Sequence, residues 1–394
     1  MSPVSAQSQK GKDAAATPAP ITPYLNARYR LEVVDQDGFD RSAVASTLRV
    51  RAGARTATWN GLSALIEGEA IMRLGPSHYN DTTNGVIDRP IVADPSDLLL
   101  NQAYLKWQPT KKLEAIVGRQ TVNLDNQRWI GSVDWRQNDQ TLDAVRLAVT
   151  PTTSTRLEYV HSTRVNRVFG PDSPQGTWRN ADINLVRGSA AITPVGTLVA
   201  YGYWLDLPTA PAQSSRTVGV RLTGEQKLGN GAKLLYAAEF ARQHDYAANP
   251  RHFRHDYLLI EPGVTVGPVT ARLGYERLEG DGTTALQTPL ATLHAFNGWT
   301  DKFLTTPADG LRDAYADIQW RVGPLTKAGP VTVRFQLHDF NATHGSRPYG
   351  REVGASATLP MTSRIMSTLK VSRYFADRFA TDTTKVWLAI EARY

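Results

Sequence analysis

The chain has 394 residues, no Cys and a formal net charge of +7, which excludes disulfide frameworks, thiolate metal sites and cysteine nucleophiles together. No apolar run reaches the ~18 residues that a membrane-spanning helix needs, so a helical membrane protein is excluded as well. With 41% hydrophobic residues, 30 Gly and 23 Pro, the length admits two or three ordinary domains or one large β structure.

The opening residues, MSPVSAQSQKGKDAAATPAP, lack the apolar core of a signal peptide. They read as a flexible tail over residues 1–21, with any export signal already removed. From Ile21 onward, segments of roughly ten residues alternate apolar with polar. YLNARYRLEVV (24–34) sets Asn26, Arg28, Arg30 and Glu32 against Leu25, Ala27, Tyr29, Leu31 and Val33. STLRVRAGART (46–56) does the same with Arg49, Arg51 and Arg55 against Leu48, Val50, Ala52 and Ala54. Connections alternate in length: short at 59–61, 109–112, 151–154, 194–196, 227–231, 267–268, 324–329 and 360–363, long at about 75–97, 120–140, 166–180, 207–215, 243–252, 280–310 and 340–349. Short turns on one rim and long loops on the other predict an all-β fold, a transmembrane up-and-down antiparallel barrel of about 18 strands over residues 22–394. The last strand, KVWLAIEARY (385–394), presents Val386, Leu388, Ile390, Ala392 and Tyr394 on one face and resembles the signal read by barrel-assembly machinery.

Strand parity puts Arg28, Arg30, Arg49, Arg51, Glu67, Glu69, Arg156, Glu158, Arg164, Arg221 and Arg334 on the polar face. So many ionised groups cannot be buried dry, because each costs several kcal/mol unless fully paired. A soluble sheet needs a second layer over its apolar face, and the sequence offers none. Lipid can cover that face, which makes the charged face the lumen of a pore.

The strings DQDGFDRSAVASTLRVRAGART (35–56), HYNDTTNG (78–85), VADPSDLLLNQAYLKW (92–107), GRQTVNLDNQRWIGSVDWRQNDQTLDAVRL (118–147) and VNRVFGPDSPQG (165–176) resemble the alginate-export family of outer-membrane porins. The resemblance implies a monomeric 18-stranded barrel in a Gram-negative outer membrane, in contact with lipid and lipopolysaccharide. It also implies an electropositive lumen that passes uronate polymer in the family's best-known branch. This chain is shorter than that exporter and has fewer long loops.

GRQTVNLDNQRWIGSVDWRQNDQTLD (118–143) is a polar, crowded connection between two alternating segments. It is expected to fold into the lumen and narrow it, since irregular backbone at membrane depth survives only where water or protein satisfies it. The expected constriction consists of Arg119, Gln120, Asn123, Asp125, Arg128, Trp129, Asp134, Arg136 and Gln137. Arg119, Arg128 and Arg136 would offer guanidinium forks to carboxylates. Asp125, Asp134, Asp139 and Asp143 would hold those forks and keep binding weak enough for conduction; Trp129 and Trp135 would anchor the loop. A buttress between loop and wall is the structural alternative for each of these residues.

The expected function is passive diffusion of small anionic or acidic-sugar solutes, with no cofactor, metal, catalysis or nucleic-acid partner. DQDGFD (35–40) lacks the terminal Glu of a calcium loop. A membrane-embedded hydrolase is disfavoured because His161 and Ser162 are adjacent and point to opposite faces of a strand. A plugged structural or adhesion barrel is the other alternative.

Overall fold

The computed structural model describes residues 20–394, so most of the expected tail (residues 1–19) lies outside the described residues. The strands are β1 (Ile21–Gln36), β2 (Ala43–Thr56), β3 (Leu62–Arg73), β4 (Asp97–Thr110), β5 (Leu113–Gln120), β6 (Thr141–Thr152), β7 (Thr155–Asn166), β8 (Thr177–Trp178), β9 (Asp182–Ile192) and β10 (Gly196–Asp206). They continue with β11 (Ser215–Gly229), β12 (Ala232–Asp245), β13 (Arg254–Val266), β14 (Val269–Leu278), β15 (Leu311–Thr326), β16 (Gly329–Asn341), β17 (Pro348–Pro360), β18 (Ile365–Ala376) and β19 (Thr383–Arg393). Each wall strand pairs antiparallel with its neighbours, and β1 closes on β19. The two-residue β8 pairs only with the end of β7, which leaves an 18-stranded closed barrel, the number expected from the sequence.

Closure is completed by Tyr394, whose backbone N–H donates to Leu25 at 2.8 Å and whose carbonyl accepts from the Leu25 N–H at 3.0 Å. Among the described residues, no wall strand is then left with an open edge. Alternation puts large apolar residues such as Leu105, Val117, Val220, Ile260 and Leu273 on the exposed outer wall. Their inward neighbours on the same strands include Lys106, Glu114, Arg221, Glu261 and Arg272.

Bulges shift this parity, among them one in β4 and one in β7. Opposite Glu67 and Gly68 the register of β4 slips at Asn101 and Gln102. Both side chains turn inward and donate to Glu67 Oε1, at 2.8 and 3.2 Å. In β7 the slip falls at Thr163, where the Ser162 hydroxyl sits inside the bulge and donates to the Asp143 and Arg164 carbonyls, both at 3.0 Å. A bulge moves every later residue of its strand to the other face. Arg164 therefore sits directly opposite Asp143, and both share the outer face with Val117 and Val145.

Charge does not fill the inner face uniformly. Toward the long-loop rim it is apolar, and Val160, Ile183, Leu185, Tyr201, Tyr257, Phe340 and Tyr374 form one buried cluster with loop residues Val122, Leu124, Trp129, Ile130, Leu286, Leu290 and Phe303. Burying Leu286, Leu290 and Phe303 alone contributes roughly 1.5–3 kcal/mol each. The loops are therefore packed into the barrel by the same force that builds a soluble core.

Candidate functional site

The connection 121–140 crosses the lumen. At one end, Arg28 on β1 donates to the carbonyl of Asp134 at 2.7 Å and to Gln137 Oε1 at 3.1 Å, and also to the Arg136 carbonyl. Gln137 Nε2 donates to Thr47 Oγ1 at 2.8 Å, and Arg51 on β2 pairs with Asp139 at 2.8 Å. At the other end, the Trp129 indole donates to Glu239 on β12 at 2.7 Å, and Arg128 pairs with Glu276 on β14 at 2.7 Å. Strands β1 and β12 are eight steps apart one way around the wall and ten the other. A loop fastened to both spans the barrel's diameter.

The connection 279–310 meets it inside. Arg128 donates to Thr288 Oγ1 and Asn297 Oδ1, both at 3.1 Å, and its guanidinium lies 4.9 Å from the Phe296 ring centre. Asn297 donates onward to Glu276 at 2.6 Å and Asp313 at 3.0 Å. Thr292 Oγ1 donates to Gln127 Oε1 at 2.6 Å. Glu352 on β17 accepts from the Thr300 N–H at 3.2 Å, from Ser372 Oγ at 2.5 Å and from the Trp299 N–H.

A second hub joins both loops to β18 and β19. Asp301 receives Arg136 at 3.3 Å, Lys385 at 2.7 Å and His294 Nδ1 at 2.6 Å. Burial pushes the His294 imidazole down to about 3 against the pull of Asp301, so the ring is neutral at ordinary pH. Burial alone would raise the Asp301 carboxyl, but His294, Lys385 and Arg136 hold it well below the usual range. With its proton on Nδ1, His294 donates to Asp301 and accepts from Lys370 Nζ through Nε2 at 2.7 Å. The Lys370 nitrogen lies 4.2, 3.9 and 5.2 Å from the rings of Trp135, Trp299 and Trp387, an aromatic cage with one wall from each loop and one from β19.

Two chambers result. The outer one, about 380 Å³, is lined by Arg136, Arg167, Lys302, Lys385 and His294, by the single carboxylate Asp301, and by apolar groups including Val34, Phe39, Leu293 and Leu304. The inner one, about 350 Å³, is lined by Arg221, Arg272 and Arg334 together with Glu261, Glu276 and Asp317. Leu293 and His294 border the outer chamber while Ala295, Phe296 and Asn297 border the inner one. The short turn 293–297 is therefore the septum between them. Four cations face one carboxylate outside; three face three inside. Burial first, and Lys385 second, lower Lys302 to about 8.

The residues expected at the constriction are placed as follows. Arg128 and Arg136 are buried and held by carboxylates, so they offer no free guanidinium fork. Arg119 is a correction of face: it lies on the outer wall, donating Nε and Nη2 to Asp143 at 2.7 and 3.0 Å. Gln120 donates to the Ala144 carbonyl at 3.1 Å, and Asn123 accepts the Ser132 N–H at 2.7 Å. Asp125 holds Arg187 on β9 at 2.6 Å. Trp129 is an anchor, packed edge-on against Tyr257 with ring centres 5.2 Å apart. Trp135 stacks on His294 at 4.5 Å.

Among the residues expected to line the lumen, Arg28, Arg30 and Arg49 point inward but are buried beneath the loops. Arg51, Glu67, Glu69, Arg156, Glu158, Arg221 and Arg334 also point inward, and Arg164 points outward because of the Thr163 bulge. Sequence reading missed His294, Asp301, Lys302 and Glu352, and it put Lys370 on the polar face without giving it a role. The available signal was the length of 279–310 and its density of aromatic and polar side chains. Ser162 and His161 do lie on opposite faces, with Ser162 fully buried.

Wall and loop placement together define a closed 18-stranded antiparallel β-barrel with its long loops folded into the lumen. The sequence of residues 23–167, which carries β1 to β7, matches the alginate-export family model. No curated protein sequence matches the chain. In fold it is similar to Pseudomonas aeruginosa OpdL, at 15% identity and a TM-score of 0.69 over 95% of this chain and 98% of that one. OpdK solved with vanillate gives 12% identity and a TM-score of 0.70 over 94% and 98%. OccK2 (OpdF) in complex with glucuronate gives 14% identity and a TM-score of 0.68 over 95% and 98%.

Proposed function

We propose that the protein is a monomeric, non-enzymatic channel of the Gram-negative outer membrane for passive diffusion of small organic anions. The observation that carries this reading is the outer chamber, where Lys302, Lys385 and Arg167 face the single carboxylate Asp301 while Arg136 is already held by Glu32. A cationic, low-dielectric funnel raises the local concentration of anions and speeds their entry. Balanced charge in the inner chamber keeps residence short, as conduction requires. The mixed lining favours a carboxylate carried on an apolar or sugar body. The vanillate of OpdK and the glucuronate of OccK2 belong to that class. Chambers of 350–380 Å³ suit one acidic sugar or aromatic acid, so a uronate polymer passes only when the septum at 293–297 moves.

The test is single-channel recording in a planar bilayer under a salt gradient, with glucuronate, vanillate and uronate oligomers added in turn. Anion-selective current reduced by the monomeric acids is expected. Cation-selective current would overturn the charge assignment. A plugged structural barrel is the second reading, favoured by the same septum, and absence of any conductance would establish it.

A further inference from the structure

On the outer wall near the long-loop rim, three basic residues stand directly opposite one another on adjacent strands: Arg216 on β11, His244 on β12 and Arg254 on β13. They share the outward face with Val218, Val220, Phe240 and Ile260. One row nearer the midplane, Arg242 is neutralised by Asp256 at 2.7 Å. In the outermost row, by contrast, neither Arg216 nor Arg254 makes an ion pair among the described residues. Arg216 and Arg254 thus flank the His244 imidazole with no carboxylate partner of their own, so an anion from outside the chain would meet two unneutralised guanidinium groups.

The surroundings say which anion. Long loops lie on the extracellular side of bacterial barrels, so this rim meets the outer leaflet. The short-turn rim carries exposed Trp59, Trp107 and Trp320 instead. Trp204 on β10 stands opposite Arg216 on the same face, the position of an interfacial aromatic. Four residues toward the midplane, Val220 and Phe240 begin the apolar belt. An occupant of the row therefore has an anionic head at the rim and an apolar body below it. Two strand spacings put the Arg216 and Arg254 backbones about 10 Å apart, close enough for both guanidinium groups to reach one phosphate, which Arg grips in a bidentate manner.

We propose that Arg216, His244 and Arg254 form a binding site for the phosphate of a phosphorylated glycolipid in the outer leaflet. Such binding needs no conduction, so it stands or falls separately from the channel reading. The test is native mass spectrometry of the full chain in detergent, titrated with bis-phosphorylated lipid A, with its dephosphorylated form and with inorganic phosphate. The expected result is a phosphate-dependent lipid A adduct whose affinity falls about thirty-fold in Arg216→Gln/Arg254→Gln and is unchanged in Arg351→Gln. Arg351 occupies the same rim but is already paired with Asp339 at 2.8 Å. Equal binding of both lipid A forms to the wild-type chain, a measurement that needs no variant, would overturn the site. So would an equal loss in Arg351→Gln. Displacement by inorganic phosphate as effective as by lipid A would reassign the row to free phosphate.

Discussion

Removing the Arg128 side chain separates a scaffold role from a selectivity role. Arg128→Met leaves Glu276 buried with hydrogen bonds from Tyr257 Oη and Asn297 Nδ2, both at 2.6 Å, but with no neutralising charge. Breaking one side of a buried pair costs about 3–5 kcal/mol, whereas replacing both sides with neutral groups of similar volume is often close to neutral. Arg128→Met should therefore destabilise by that amount and Arg128→Met/Glu276→Gln by only about 1 kcal/mol, so the second substitution recovers roughly 2–4 kcal/mol. Folded fractions in urea, read by gel shift of the unheated barrel, give the stabilities; reversal potentials in a bilayer give the selectivity. Because the pair is neutral as a unit, the double variant should keep the wild-type reversal potential. A double variant that is stable yet loses anion preference would refute the reasoning and restore Arg128 as a carboxylate-binding residue of the pore.

Lys302→Gln should shift the reversal potential toward that of an unselective pore with little change in stability. Since Lys302 sits at about 8, wild-type anion preference should weaken between pH 7 and 9, and Lys302→Gln should not show that change. Acid should loosen the loops. His294 is held at about 3 against an ordinary 6.5, so the released loop binds more protons and docking loses stability as pH falls from 6.5 toward 3. Asp301, depressed below its ordinary 3.8, adds to the loss at the lower end. Current traces at pH 4 should be noisier than at pH 7, and identical traces would contradict the hub. Arg119→Gln should leave conductance and selectivity unchanged, because its guanidinium lies on the outer wall; a shifted reversal potential would place it in the lumen instead.

The barrel was legible because its signals are local. A period of two shows within each strand, and turn chemistry fixes where each strand stops, so strand number, loop alternation and most facing assignments follow from short windows. Parity failed at Arg119 and Arg164, for different reasons. For Arg164 the cause is a bulge at Thr163, where one extra residue leaves no mark in an alternating string. Arg119 was assigned to the loop, yet it still belongs to β5 and faces outward with Val117. The inward fold of 121–140 was readable from its polarity, but its partners were not. Arg128 and Glu276 are 148 residues apart, and no local pattern couples them. Nor did anything local show that the neutral side chains of 279–310 complete the same bridge.

Charge inside this barrel does two jobs that composition cannot separate. Arg30, Arg128 and Arg136 sit in low-dielectric surroundings, where an unpaired ion would be prohibitive. Each is matched by a carboxylate, and the resulting ion pairs act on a passing solute only as short-range dipoles. Lys302 has no such partner among the described ion pairs, and Lys385 shares Asp301 with Arg136 and His294. These lysines border open volume, so their field reaches an approaching anion over about a Debye length, roughly 8–10 Å. Discrimination should thus be set before the septum, in the outer chamber, while the paired arginines fix how wide the path beyond it is. The +7 of the whole chain carries no such information. What matters is which positive charges remain without a partner once the two loops have folded in.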